Sequence, residues 1–142
     1  MQIDSAIASV ANQQPATGAG ERPWRTLLVD DSRAFLQVIT AILELDSLVK
    51  LVGTATNGVE AIEAATTLHP KLVLMDVNMP TMDGPTATKL LSTHFPEIAV
   101  LLMSSEDSPE LRTACKACGA AGFIYKGRLR SELAISLYEA NI

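Results

Sequence analysis

The chain is short of the residues that would mark a disulfide scaffold, a membrane protein or a nucleic-acid surface. It has two cysteines in 142 residues, and a chain of that length can bury a core without covalent staples. No stretch approaches the roughly 20 apolar residues that span a bilayer. The N-terminus has no basic region followed by an apolar run, which predicts no secretory signal. The expected compartment is therefore the cytoplasm, where both thiols stay reduced. Basic charge is scarce too: 11 Lys and Arg against 16 Asp and Glu give a net charge of −5, which argues against direct nucleic-acid binding. Aromatics are only 4% of the chain while apolar residues make up 48%, so the expected core is aliphatic.

Cys115 and Cys118 form a Cys-x-x-Cys pair. With Leu111 and Ala114 they fall at helical spacing, so they read first as small residues on a buried stripe. Zinc would need two more ligands, and His69 and His94 are far off without matching spacing. A redox pair would sit at the start of a helix after a strand, whereas these lie near a helix end.

Along the chain, Asn12 to Gly20 has no periodicity and reads as part of a flexible tail over residues 1–23. Ile3, Ile7 and Val10 offer one face for a short helix ended by Pro15, but so short a helix is marginal unless it docks. From Trp24 the pattern is regular. Apolar runs at Thr26 to Val29, Leu48 to Ala55, Leu72 to Met75, Ile98 to Met103 and Phe123 to Tyr125 alternate with five helical patterns. The first helix carries Phe35, Ile39, Ile42 and Leu43 after an Asp31 or Ser32 cap. The second opens at Asn57, the third runs Gly84 to Phe95, the fourth Pro109 to Cys118, and the last carries Leu129, Leu133 and Leu137. Strands without apolar–polar alternation are buried on both faces, which predicts an α/β domain with a parallel sheet covered on each side. There is no internal repeat, and residues 24–142 make one domain.

The polar residues fall where the strands end. Asp30 and Asp31 follow the first, Asp76 ends the third, Ser104 the fourth and Lys126 the fifth. In an open parallel sheet these C-terminal ends share one edge, where ligands bind. One strand-end Asp is often a helix cap; five such groups from four distant segments are harder to assign to capping. Crowded carboxylates raise each other's pKa unless a cation is present, and an all-oxygen site suits Mg²⁺ with phosphate oxygens. Lys126 adds a point charge suited to phosphate, and Asp76 can serve as a carboxylate nucleophile. In the loop after Asp76, Pro80 fixes φ and Gly84 is expected to take an unusual backbone angle. The Asn78 carbonyl stands ready to complete a metal shell.

Asp30–Asp31, the run Asp76-Val-Asn-Met-Pro-Thr-Met-Asp-Gly84, Ser104 and Lys126 resemble the receiver domain of two-component response regulators, most closely the chemotaxis-regulator type. The resemblance runs from about Trp24 to the C-terminus. It implies a flavodoxin-like, doubly wound five-stranded parallel sheet in the order 2-1-3-4-5 with five helices. It implies that Asp76 accepts a phosphoryl group from a histidine kinase or histidine phosphotransfer protein. Mg²⁺ is then held by Asp31, Asp76 and the Asn78 carbonyl, with Asp30 acting mainly through water. Ser104 becomes the switch hydroxyl and Lys126 the phosphate partner. Phe123 takes the switch-aromatic position, although simple core packing explains it equally well. The signalled partner is a downstream protein or an output domain, with no membrane or nucleic-acid contact by this domain.

Three features depart from that pattern or qualify it. Gly127 stands where Pro often follows the Lys, so a trans and more flexible loop is expected there. Ser105 sits beside Ser104 and leaves open which hydroxyl matters, with Ser104 preferred because it directly ends the apolar run. Asn78 and Glu106 form a polar pair at the mouth; in receivers similar to the chemotaxis regulator such a pair accompanies fast dephosphorylation, while solvated loop residues are the plain alternative. The missing Pro tilts toward a truncated transcription factor and the polar pair toward a stand-alone regulator. A phosphatase of the haloacid-dehalogenase type is the rival enzyme, but it expects a second Asp where Asn78 stands. An inactive docking module is disfavoured because every acidic position is filled.

Overall fold

The computed structural model describes residues 22–140, so most of the expected tail over residues 1–23 lies outside the described residues. Five strands, β1 (Trp24–Val29), β2 (Val49–Ala55), β3 (Leu72–Asp76), β4 (Ala99–Ser104) and β5 (Gly122–Tyr125), alternate with five helices. The helices are α1 (Arg33–Glu44), α2 (Gly58–Leu68), α3 (Gly84–His94), α4 (Pro109–Ala117) and α5 (Leu129–Glu139), the last entered through a short 3₁₀ turn at Lys126–Arg128. The strands form one sheet in the order β2-β1-β3-β4-β5, every neighbour parallel. That is the flavodoxin-like arrangement expected from the sequence.

Each strand feeds both faces, because successive side chains point to opposite sides. Leu28, Leu74, Leu101, Met103 and Ile124 join Leu36, Ile39, Leu133 and Leu137 in a core under α1 and α5. Leu27, Val29, Val73, Met75 and Leu102 join Ala61, Ala65, Ala87, Leu91 and Cys115 in the core on the other side. β1 starts two residues earlier than its apolar run suggested: Arg25 interrupts the run and is exposed, but Trp24 before it is buried and pairs with Val49.

Four helices begin at a side-chain cap just beyond a strand's C-terminal end. Ser32, Asn57, Asp83 and Ser108 each accept a backbone N–H from three residues on, which satisfies amides the helix leaves orphaned. Those caps aim the chain back over the sheet and leave the intervening loops at one rim.

Two expectations need correction. Gly84 does not have positive φ; in that loop Thr81 takes the left-handed region, with φ 68°. Gly84 is required by proximity instead, since a Cβ there would overlap the Asp76 carbonyl oxygen. The α4 stripe is also narrower than its spacing implied. Cys115 is buried and Leu111 and Cys118 are half-buried, but Ala114 faces solvent.

Candidate functional site

Asp30, Asp31 and Asp76 converge as the topology requires: one carboxylate oxygen from each lies within 4.8 Å of the others. β1 and β3 are adjacent in the sheet, so the residues ending them emerge side by side although 45 positions separate Asp31 from Asp76. Asp30 is fully buried and Asp76 nearly so, while Asp31 is exposed at the mouth.

Lys126 closes the cluster from β5. Its Nζ stands 2.7 Å from Asp30 Oδ2 and 3.1 Å from Asp76 Oδ1. Asp30 is held from its other oxygen by the backbone N–H of Ser32 at 2.9 Å. Its buried Oδ2 is paired with the Lys126 ammonium. Three carboxylates against one ammonium leave the pocket with excess negative charge, and its donor atoms are all oxygen. Three carboxylates within reach of one another in an acidic, all-oxygen pocket fit a hard divalent cation such as Mg²⁺.

The charges perturb one another in a definite direction. Burial raises the Asp76 carboxyl above its ordinary value; Lys126 pulls it down, and Asp30 and Asp31 push it up again. Burial acts to depress the Lys126 pKa, but hydrogen bonds and charge from Asp30 and Asp76 outweigh it and the ammonium is held above its usual range. The site therefore keeps Lys126 protonated.

The remaining expected residues lie on β4, on β5 and in the loops that follow β3 and β4. Ser104 is buried at the end of β4, and its oxygen accepts the Glu106 backbone N–H at 3.0 Å, which leaves its proton free to donate. Ser105 is exposed, whereas Ser104 is buried. The loop after Asp76 is tied at both ends: the Gly84 N–H reaches the Val77 carbonyl at 2.9 Å and the Gly58 N–H reaches the Met82 carbonyl at 3.0 Å. The carbonyl of Asn78 takes no bond from a described backbone amide, and Asn78 and Glu106 are both exposed. Phe123 is buried with the second core, beneath the Arg112 guanidinium at 4.7 Å, so the switch and packing readings share one buried ring. No cis peptide occurs in the Lys126–Gly127 loop, and Tyr125 folds over Gly127 closely enough that a Cβ there would meet its ring.

Sequence reasoning missed two parts of this rim. Phe35, on the first turn of α1, places its ring centroid 4.1 Å from Lys126 Nζ. Asp107 accepts from Arg112 Nε at 2.7 Å and from Arg128 Nη2 at 3.0 Å, and these two guanidinium groups cover Phe123 and Tyr125. The only signal for either lay in residue types near the motif; Asp107 and Arg112 are five residues apart, but the pairings with Arg128 and of Phe35 with Lys126 join segments far apart in the chain.

Residues 26–137 match the family described as response regulator receiver domain. A curated relative, protein-glutamate methylesterase/protein-glutamine glutaminase 1 of Methanosarcina acetivorans, is 41% identical over 104 residues, which cover 72% of this chain. The match spans only 30% of that relative's length. Among solved structures, the response regulator domain of Thermotoga maritima CheB superposes with a TM-score of 0.75 at 29% identity, covering 84% of this chain and 97% of that one. CheY in the Borrelia burgdorferi CheX–CheY–BeF₃–Mg²⁺ complex gives a TM-score of 0.76 at 25% identity over 84% of this chain and 90% of that one.

Proposed function

Because the chain belongs to the response-regulator receiver domains, we propose that Asp76 is its phosphoacceptor and that phosphorylation switches its protein contacts. The observation that carries this reading is Lys126 Nζ lying between the Asp30 and Asp76 carboxylates, with Asp31 in the same cluster. The donor is the phosphohistidine of a histidine kinase or a histidine phosphotransfer protein. An Asp76 carboxylate oxygen attacks phosphorus, a P–O bond forms, and the P–N bond to the donor imidazole breaks with its electron pair leaving on nitrogen.

Asp31, Asp76 and the Asn78 carbonyl would hold Mg²⁺, with Asp30 behind them through water; when bound, the ion neutralises charge on the transferring group. The solved Borrelia CheY complex carries Mg²⁺ with BeF₃, which supports that assignment. Lys126 offers its ammonium to the phosphoryl oxygens, a fixed charge where charge develops. Ser104, whose proton is uncommitted, donates to the same oxygens once they arrive. That movement draws on the loop carrying Glu106 and Asp107, and through Asp107 on the guanidinium groups over Phe123 and Tyr125. A local charge thereby biases the face formed by α4, β5 and α5.

In this reading the domain signals and does not turn over a substrate. The esterase and glutaminase activities named for the curated relatives belong to proteins more than three times as long as the matched segment. The output here is a downstream protein or an attached output domain, and the compartment is the cytoplasm; among the described residues no helix is long and apolar enough to cross a membrane. The test is incubation with Mg²⁺ and acetyl phosphate. An acid-stable, base-labile adduct should form on the wild type and be absent from Asp76→Asn. An adduct that persists in that variant overturns the assignment, and steady hydrolysis of a generic phosphate ester would favour the phosphatase reading instead.

A further inference from the structure

The ammonium of Lys126 meets three surfaces, and only two of them are carboxylates. The third is the face of Phe35, 4.1 Å from Nζ to the ring centroid. The side chain of Lys126 is 16% exposed, so little water competes for that charge. A cation over an aromatic face is drawn by the ring quadrupole, more strongly when desolvated.

Phe35 is anchored by the turn that carries the acidic pair. Asp30 Oδ1 accepts the Ser32 N–H at 2.9 Å, and Ser32 Oγ accepts the Phe35 N–H at 3.2 Å. The circuit closes where Phe35 faces Lys126 and Lys126 reaches Asp30. The ring is half-buried and rests on the core under α1 and α5, so it is backed by packed side chains. On the other side, the chain after Lys126 continues through Gly127, which offers no side chain to steady the lysine.

We propose that Phe35 is a positioning residue: its ring holds the Lys126 ammonium poised between Asp30 and Asp76, ready to turn to an incoming phosphoryl group. The inference rests on Asp76 being the phosphoacceptor. An aliphatic residue of similar size fills the same space but lacks the quadrupole, and leaves the lysine free to settle on either carboxylate. A larger aromatic residue keeps it.

Phe35→Leu and Phe35→Trp separate these effects. The first readout is the rate of Asp76 phosphorylation by acetyl phosphate in saturating Mg²⁺, and the second is the NMR shift of the Lys126 side-chain protons beside Nζ. The wild type should show those protons moved upfield by the ring. Phe35→Leu should lose that shift and phosphorylate about three- to tenfold more slowly, the range a desolvated cation–aromatic contact supplies. Phe35→Trp should keep the shift and stay within about twofold of wild type. Urea midpoints identify any loss of fold, and Phe35→Trp then decides alone. The proposal is overturned if Phe35→Leu keeps the wild-type rate, or if Phe35→Trp is as slow as Phe35→Leu. A wild type that takes no phosphoryl group overturns the phosphoacceptor assignment instead, and the proton shift still reports whether the ring holds the lysine.

Discussion

Gly84 packs against the backbone carbonyl of Asp76 so closely that no side chain fits between them. The first residue of α3 thereby sets the height of the acidic strand end, and a Cβ would push against backbone, which cannot swing aside. Gly84→Ala should cost about 1–3 kcal/mol, the usual penalty of overpacking a tight site. Gly127→Ala is the control, because its Cβ would meet only the Tyr125 ring, a side chain that can turn away. Urea denaturation compares them. Equal losses in the two variants would show that the Asp76 carbonyl has room to retreat.

The acidic site strains the fold it sits in. Burial holds the Asp76 carboxyl above its ordinary 3.8. A carboxyl raised on folding favours the native state while protonated; that contribution is complete below 3.8 and is lost as pH rises through the native value. Near pH 7 the ionised group opposes folding. Asp76→Asn without Mg²⁺ should therefore raise stability by roughly 0.5–2 kcal/mol, or about 4 °C per kcal/mol in Tm. The gain should shrink as the pH is lowered toward 4. Thermal melts at both pH values decide it: a variant less stable than wild type at pH 7 would mean that attraction to Lys126 outweighs burial.

How much of this was legible before the structure depends on which kind of contact is asked about. Asp30, Asp31, Asp76, Ser104 and Lys126 could be gathered from the sequence because each ends or follows an apolar run and parallel strands share one rim. The reason for Gly84 could not be, because a missing Cβ fits both positive φ and close approach, and only coordinates separate them. Ala114 misled for a related reason: α4 covers an edge of the sheet and buries a thinner stripe than helical spacing alone suggests. Phe35 stayed hidden because its partner Lys126 lies 91 residues away, and the Asp107 bridge because Arg128 lies 21 residues on although Arg112 is only five away; no local period encodes either long pairing. Strand ends differed by one residue at β2 to β5 and by two at β1, where a charged residue, Arg25, broke an otherwise apolar run.

The two cysteines should differ in reactivity. Burial pushes the Cys115 thiol up to about 11, where almost no thiolate exists near neutral pH, and the thiolate is the reactive form. Cys118 is half-buried at the end of α4 and donates its S–H to the Cys115 carbonyl at 2.9 Å. Iodoacetamide at pH 8 should modify Cys118 alone in the folded protein and both residues in urea. Early labelling of Cys115 in the native state would contradict its burial beneath α4, in the core with Leu91, Leu102 and Phe123.

Asp31 differs from its two neighbours in a way that isolates the cation. Asp30 and Asp76 are buried and bonded to Lys126, so replacing either alters the resting structure, whereas Asp31 is exposed at the mouth. A ligand that binds only the folded state adds about 1.4 kcal/mol at ten times its dissociation constant. Titration of the wild type with Mg²⁺ should raise Tm accordingly and level off only logarithmically. Asp31→Asn should melt close to wild type without the ion, as surface substitutions do, yet lose most of the Mg²⁺-dependent rise because the cluster is left with one accessible carboxylate fewer. A rise of full size in Asp31→Asn, or none in the wild type, would place the cation elsewhere.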